Sequence, residues 1–184
     1  MRVFIALDIP AEIRARLAEY IERVRRYALD ARWVKPESLH ITLKFVGEIN
    51  AALLEQMKAA MSSVKSSPFE VKFAEIGYFP GAKSARVFWT GVHAPETLAH
   101  LASSIDGQLE PLGIAVEKAA YRPHLTLARA GTAGTQSLRL LQKQLEAEPS
   151  PQFGTMTAQE YFLYQSTLSP QGARYAKLER FALA

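Results

Sequence analysis

The sequence predicts an α+β protein of two pseudo-symmetric lobes, each a mainly antiparallel sheet with helices on its outer face, the two sheets facing each other. Three observations predict it. Strand-like runs rich in Val, Ile and Phe alternate with segments of helical period, and two strand runs twice follow one another with no helix between them. The phrase His-x-Thr-Leu occurs at residues 40–43 and again, 84 positions later, at 124–127; each copy is preceded by proline and followed seven residues later by Gly47 or Gly131. No linker or low-complexity stretch interrupts the chain, so residues 1–184 read as one bilobal domain.

In order, residues 2–9 form an apolar run ended by Pro10, which predicts a buried strand. Ile13, Leu17, Tyr20, Ile21, Val24 and Ala28 recur at steps of three and four and predict an amphipathic helix over 11–29. Arg14, Arg16, Arg23 and Arg26 fall on its polar face; a solvated face is the commoner use of such a pattern than a polyanion site. A Pro-containing turn leads to a strand ending near Gly47, and Asn50 is the expected N-cap of a helix over 51–65. Strands 69–79 and 85–92 flank the turn residues Pro80 and Gly81, and a helix over 96–111 stops at Pro111 and Gly113. The second Pro-led strand follows. A flexible loop over 131–137, a helix over 137–147, a turn over 148–152, and strands 157–168 and 174–182 joined by Ser-Pro-Gln-Gly complete the chain.

Composition narrows the chemistry. No apolar run approaches the roughly 20 residues of a bilayer span, and the first ten residues lack the features of a signal peptide, so the cytoplasm is the expected compartment and no membrane partner is expected. The absence of cysteine excludes disulfides, thiolate nucleophiles and Cys-ligated metals. A net charge of +4 is a weak pointer to an anionic partner.

On a strand, side chains alternate faces, so His40 and Thr42 point one way and Ile41 and Leu43 the other; His124 and Thr126 are likewise opposed to Leu125 and Leu127. Bringing both strands to one active-site groove places two imidazoles and two hydroxyls together. Imidazoles near pKa 6.5 suit paired acid–base work at neutral pH. In-line attack at phosphorus needs a proton acceptor on one side and a donor on the other, and hydroxyls can hold the non-bridging oxygens. Neither phrase has a carboxylate at ligand spacing, so no metal is expected there. His93, in a loop, and His100, on a helix, read as surface residues.

At these residues the chain resembles the two-histidine (2H) phosphoesterases, most closely the RNA 2′,3′-cyclic phosphodiesterases also called 2′-5′ RNA ligases. The resemblance covers MRVFIALDIP, RWVKPESLHITLKFVGEI, YRPHLTLAR and the closing FLYQSTLSPQGARYAKLERFAL. It implies a bilobal enzyme without cofactor or metal, taken as a monomer, that opens RNA 2′,3′-cyclic phosphate ends or nucleoside 2′,3′-cyclic phosphates to 2′-phosphates. Carried over, His40 is the proton donor to the leaving oxygen, His124 the proton acceptor from water, and Thr42 and Thr126 hold the phosphate. Arg129 corresponds to an arginine that reaches the phosphate, although strict alternation puts it opposite His124 unless the strand bulges. Trp33, Phe45 and Tyr121 are candidates to stack a base, with Phe45 better suited to the core; Lys44 and Arg122 are candidates for neighbouring phosphates or surface charge. The alternatives are joining of tRNA halves by the reverse reaction and a non-catalytic RNA-binding module.

Overall fold

A computed structural model describes residues 1–169 and 172–184. Among the described residues, nine strands and four α-helices run in chain order: β1 (Arg2–Leu7), α1 (Ala11–Val24), β2 (Arg32–Trp33), β3 (Ile41–Glu48), α2 (Ala51–Met61), β4 (Phe69–Phe79), β5 (Val87–His93), α3 (Glu96–Leu109), β6 (His124–Arg129), α4 (Arg139–Leu145), β7 (Gln152–Ala158), β8 (Glu160–Ser169) and β9 (Gly172–Ala182). They form two antiparallel sheets, a first of order β3-β1-β8-β9 and a second of order β2-β6-β5-β4-β7. The expected two-lobed α+β architecture is present.

The lobes are not the two halves of the chain. β8 returns from the C-terminal half to pair with β1 and brings β9 with it, while β2, β4 and β5 of the N-terminal half pair with β6 and β7. Within the sheets, β3, β1 and β8 thus match β6, β5 and β4. The unbroken apolar run of β1 follows from its central place: Val3, Ile5 and Leu7 enter the main core, while Phe4 and Ala6 join Phe162 and Tyr164 in a small cluster on the opposite face. That second cluster floors the groove side of the first sheet. Helices α2 and α3 back this sheet, through the Tyr161 hydroxyl on the Met61 carbonyl and Lys44 on Asp106. On the second sheet α1 packs against β7, where Gly154, at φ +119°, leaves room for Ile13 and Arg16.

Several element boundaries differ from the sequence expectation. Asn50 caps α2 by accepting from the Leu53 N–H at 2.8 Å, but that helix ends at Met61. Helix α1 stops at Val24 and tightens into a 3₁₀ turn over Arg25–Tyr27, α3 ends likewise in one over Glu110–Leu112, and α4 is preceded by one over Gly134–Leu138. The expected strand 157–168 is two strands broken at Gln159, and β7 occupies ground assigned partly to a turn; a left-handed Gly154 and interleaved threonines hid it. The 131–137 segment is held rather than free. Ser137 donates to the Asp30 carboxylate at 2.6 Å and accepts from the Gly131 N–H, and the Ser137 hydrogen bond holds the Asp30 carboxyl below its usual range. Pro170 and Gln171 of the expected closing turn lie outside the described residues. His93 ends β5 instead of lying in a loop, exposed and 3.3 Å from Glu75, and His100 is exposed on α3. No helix among the described residues is long and apolar enough to cross a membrane.

Lys44 corrects the surface reading most clearly. Only 6% of its side chain is exposed; its ammonium is paired with Asp106 of α3 and donates to the Ala115 carbonyl at 2.6 Å. It ties the first motif strand to its helix and is turned away from any phosphate in the groove. Removing one member of such a pair leaves a buried charge without its counter-ion. Asp106→Ala should therefore lower stability by about 3–5 kcal/mol in urea unfolding; an unchanged midpoint would show that this pair does not hold β3 to α3.

Candidate active site

The two phrases meet in one groove. His40, Thr42 and Phe45 from the first sheet and His124, Thr126 and Arg129 from the second line a single cavity of about 130 Å³, with Val34, Ser38 and Tyr175 around them. Arg129 reaches it because β6 bulges. Phe88 pairs with Ala128 and Trp89 with Thr126, so Leu127 is an extra residue on β6. Leu127 and Ala128 then both face the core, and the parity of the strand flips so that Arg129 joins His124 and Thr126. The condition that alternation set for Arg129 is met.

The same device operates in the first motif. Ile5 pairs with Lys44 and Ala6 with Thr42, which leaves Leu43 as the extra residue; Leu43 and Lys44 are both buried, and Phe45 emerges beside Thr42. Alternation placed Phe45 in the core, but it is 63% exposed at the groove. Each motif therefore presents its first, third and sixth residues, His-Thr-Phe and His-Thr-Arg, from equivalent bulged strands.

Both imidazoles are held alike. Nδ1 of His40 lies 2.8 Å from the carbonyl of Ser38, and Nδ1 of His124 lies 2.7 Å from the carbonyl of Arg122, in each case two residues upstream. A carbonyl only accepts, so Nδ1 carries the proton and Nε2 is left to take or give one. Aromatic rings brace the imidazoles: Phe4 at 4.7 Å and Tyr175 edge-on at 5.2 Å from His40, and Phe79 edge-on at 4.9 Å from His124. Two hydrogen bonds cross between the motifs. Val34 N–H donates to the Leu127 carbonyl at 2.8 Å, and the Tyr121 hydroxyl, which burial pushes well above its ordinary pKa, donates to the Thr42 carbonyl at 2.9 Å.

The electrostatic setting of His40 follows from its surroundings. Burial holds His40 below its ordinary pKa; the hydrogen bond to Ser38 and the carboxylate of Asp8 oppose this, and the Arg14 and Arg129 charges add to it. That Arg129 acts on His40 is a further sign of convergence between the motifs.

The other expected contacts are redistributed. Trp33 donates its indole N–H to the Ala28 carbonyl at 3.0 Å and packs edge-on against Phe88, so it is structural. Tyr121 acts through the Thr42 backbone, and the Arg122 side chain is exposed. The sequence reading did not single out Phe4, Phe79, Ser38 or Tyr175. Tyr175 comes from β9, which only the exchange of strands between halves brings beside β3's lobe face, and no local signal marks it.

A family model described as LigT like Phosphoesterase matches residues 7–89 and 92–175, both motifs included. The chain belongs to this family. Among its LigT-like relatives, the RNA 2′,3′-cyclic phosphodiesterase of Archaeoglobus fulgidus is 33% identical over 181 residues, covering 98% of this chain and 99% of that protein. The enzyme of the same name from Escherichia coli strain K12 is 28% identical, covering 99% and 96%. The crystal structure of E. coli LigT complexed with 3′-AMP superimposes with a TM-score of 0.81 at 28% identity over 99% of this chain and 97% of that one. A crystal structure of a Thermus thermophilus protein gives 0.82 at 30% identity, covering 100% and 98%.

An anion in the groove should favour the charged form of His40. Its titration midpoint should lie below 6.5 in the free protein and rise when sulfate, which keeps its charge in this range, is added; sulfate binding should accordingly tighten as pH falls through that midpoint. NMR titration of the His40 ring with and without sulfate checks this. A midpoint unmoved at saturating sulfate would place the anion elsewhere.

Proposed function

We propose that the protein, acting as a single bilobal domain, hydrolyses RNA 2′,3′-cyclic phosphate ends to 2′-phosphates by paired-histidine acid–base catalysis without a metal ion. The observation that carries this reading is the one cavity in which the two imidazoles, each with Nδ1 protonated against a backbone carbonyl, stand with two hydroxyls and a guanidinium. The names of the relatives, and the nucleotide in the E. coli structure, agree with it.

In the reaction so read, Nε2 of His124 takes a proton from water as the water oxygen bonds to phosphorus. The P–O3′ bond breaks on the opposite side, and Nε2–H of His40 delivers its proton to O3′, leaving the phosphate on O2′. Thr42, Thr126 and Arg129 supply donors and positive charge to the non-bridging oxygens, where charge builds in the transition state. The low pKa of free His40 fits this order. The phosphodiester brings a negative charge that favours protonation of His40, so the acid forms where its substrate is. The donor set needs no Lewis acid, since Arg129 already provides a fixed positive charge. Phe45 and Tyr175, exposed at the groove, offer faces for the terminal base.

His40→Ala and His124→Ala should each lower kcat by about 10²–10⁴-fold on a cyclic phosphate-ended oligoribonucleotide while melting like the parent. Turnover should persist in EDTA, and the product should be the 2′-phosphate. Near-full rates in either variant, or a 3′-phosphate product, would contradict the assigned roles. The limb of kcat/KM set by protonation of free His40 should lie at lower pH than the corresponding limb of kcat, which reports the complex; coincident limbs would contradict substrate-assisted protonation.

A further inference from the structure

Beyond the groove, a cavity of about 240 Å³ continues past His40, lined in part by Asp8, Arg14, Ser38 and Lys177. Arg14 is the hub of this region. Its Nη1 donates to the carbonyls of Pro36 (2.5 Å) and Leu39 (3.3 Å); its Nη2 donates to Asp8 Oδ1 (2.7 Å) and to the Ile9 carbonyl (3.1 Å). The Pro36 and Leu39 carbonyls bracket Ser38, whose own carbonyl fixes His40 Nδ1. Asp8 is in turn held on its other oxygen by Lys177, 2.5 Å away on β9, and accepts from the Ile9 N–H.

We propose that Arg14 and Asp8 are a positioning pair for His40: the guanidinium clamps the 36–39 turn so that the Ser38 carbonyl selects the Nδ1–H tautomer, and the carboxylate aims the guanidinium. The helix arginine that the sequence presents as solvated surface thereby becomes part of the machinery behind the acid, although it touches neither substrate nor reacting atoms. A turn free at its carbonyls would let Ser38 drift, and the imidazole with it. Among the described residues, the turn before His124 has no corresponding clamp behind the Arg122 carbonyl that His124 Nδ1 meets. The clamp thus distinguishes the two otherwise matched histidines.

The pair also sets the local field, with opposite signs. Other ionisable groups around His40 are Glu37 on its own turn, His124 and Arg129 on β6, Tyr164 on β8, and Tyr175 and Lys177 on β9. Against that background burial lowers the His40 pKa most, Asp8 raises it and Arg14 lowers it.

The proposal rests on His40 being the proton donor, and the test separates the two. His40→Ala measured first on the cyclic phosphate-ended RNA asks about His40 itself; a retained rate there overturns the donor reading. With that loss established, Arg14→Gln, Arg14→Lys and Asp8→Asn are compared in the full-length protein, with thermal melting as the folding control. Arg14→Gln should lower kcat about 10- to 100-fold with KM changed far less, and Arg14→Lys should restore part of the rate. Independently of turnover, ring ¹⁵N shifts of His40 should report Nδ1–H in the parent and a mixed tautomer in Arg14→Gln. The His40 titration midpoint should move up in Arg14→Gln and down in Asp8→Asn, with His93 and His100 unmoved as internal controls. An unaltered tautomer in Arg14→Gln, or midpoints moving together in the two charge variants, would overturn the positioning role even if His40 proves essential.

Discussion

Strand parity is the constraint on which the groove depends. A strand can place a histidine and the threonine two residues on at one surface, but a residue five positions from the histidine faces the other way. The extra residues Leu43 and Leu127 remove that restriction at equivalent points of the two motif strands. Each bulge sends two consecutive side chains into the core and returns the next to the groove, which gives one wall its aromatic Phe45 and the other its cationic Arg129. Without the bulges Arg129 would point into the second lobe's core, where an unpaired guanidinium is strongly unfavourable, and the groove would lose its fixed positive charge.

The two bulged strands are kept opposite one another by crossing contacts. The segment before the first motif gives the Val34 N–H to the bulge residue of the second, and the segment before the second motif gives the Tyr121 hydroxyl to the Thr42 carbonyl of the first. Exchange of strands between the chain halves adds to this lock, since neither sheet can form from one half alone. Such a frame suits a mechanism in which two proton-transfer groups must stand on opposite faces of one phosphorus, because reorganisation at the moment of reaction is small when the groups are already placed. The matched frame still holds unlike histidines. His40 is half-buried against Phe4 and Tyr175 and flanked by the Asp8–Arg14 network, and its low pKa follows first from that desolvation.

Much of this was legible in the sequence, and the failures have physical causes. The doubled His-x-Thr phrase identified the strands and the four groove residues, since period two is a local property. Helix starts were legible where a side chain signals them, as at Asn50. The bulges were not, because nothing in Leu43 or Leu127 distinguishes an extra residue from an ordinary buried one, and Phe45 was consequently assigned to the core. Lys44 read as surface because its partner Asp106 lies on a helix 62 positions away. Arg14 read as solvent-facing because its partners, Asp8 and the 36–39 carbonyls, are set by how α1 packs and not by its own periodicity. Tyr175 joined the groove only through the return of β8 and β9 to β1.

The central claim is that both histidines serve one in-line displacement at a single phosphorus. Its most direct test is the stereochemical course of hydrolysis of one diastereomer of a nucleoside 2′,3′-cyclic phosphorothioate at the end of a short RNA, opened in ¹⁸O-water. A single displacement with acid and base on opposite sides predicts inversion at phosphorus. Retention would signal two displacements through a phosphorylated side chain and would contradict the paired acid–base groove.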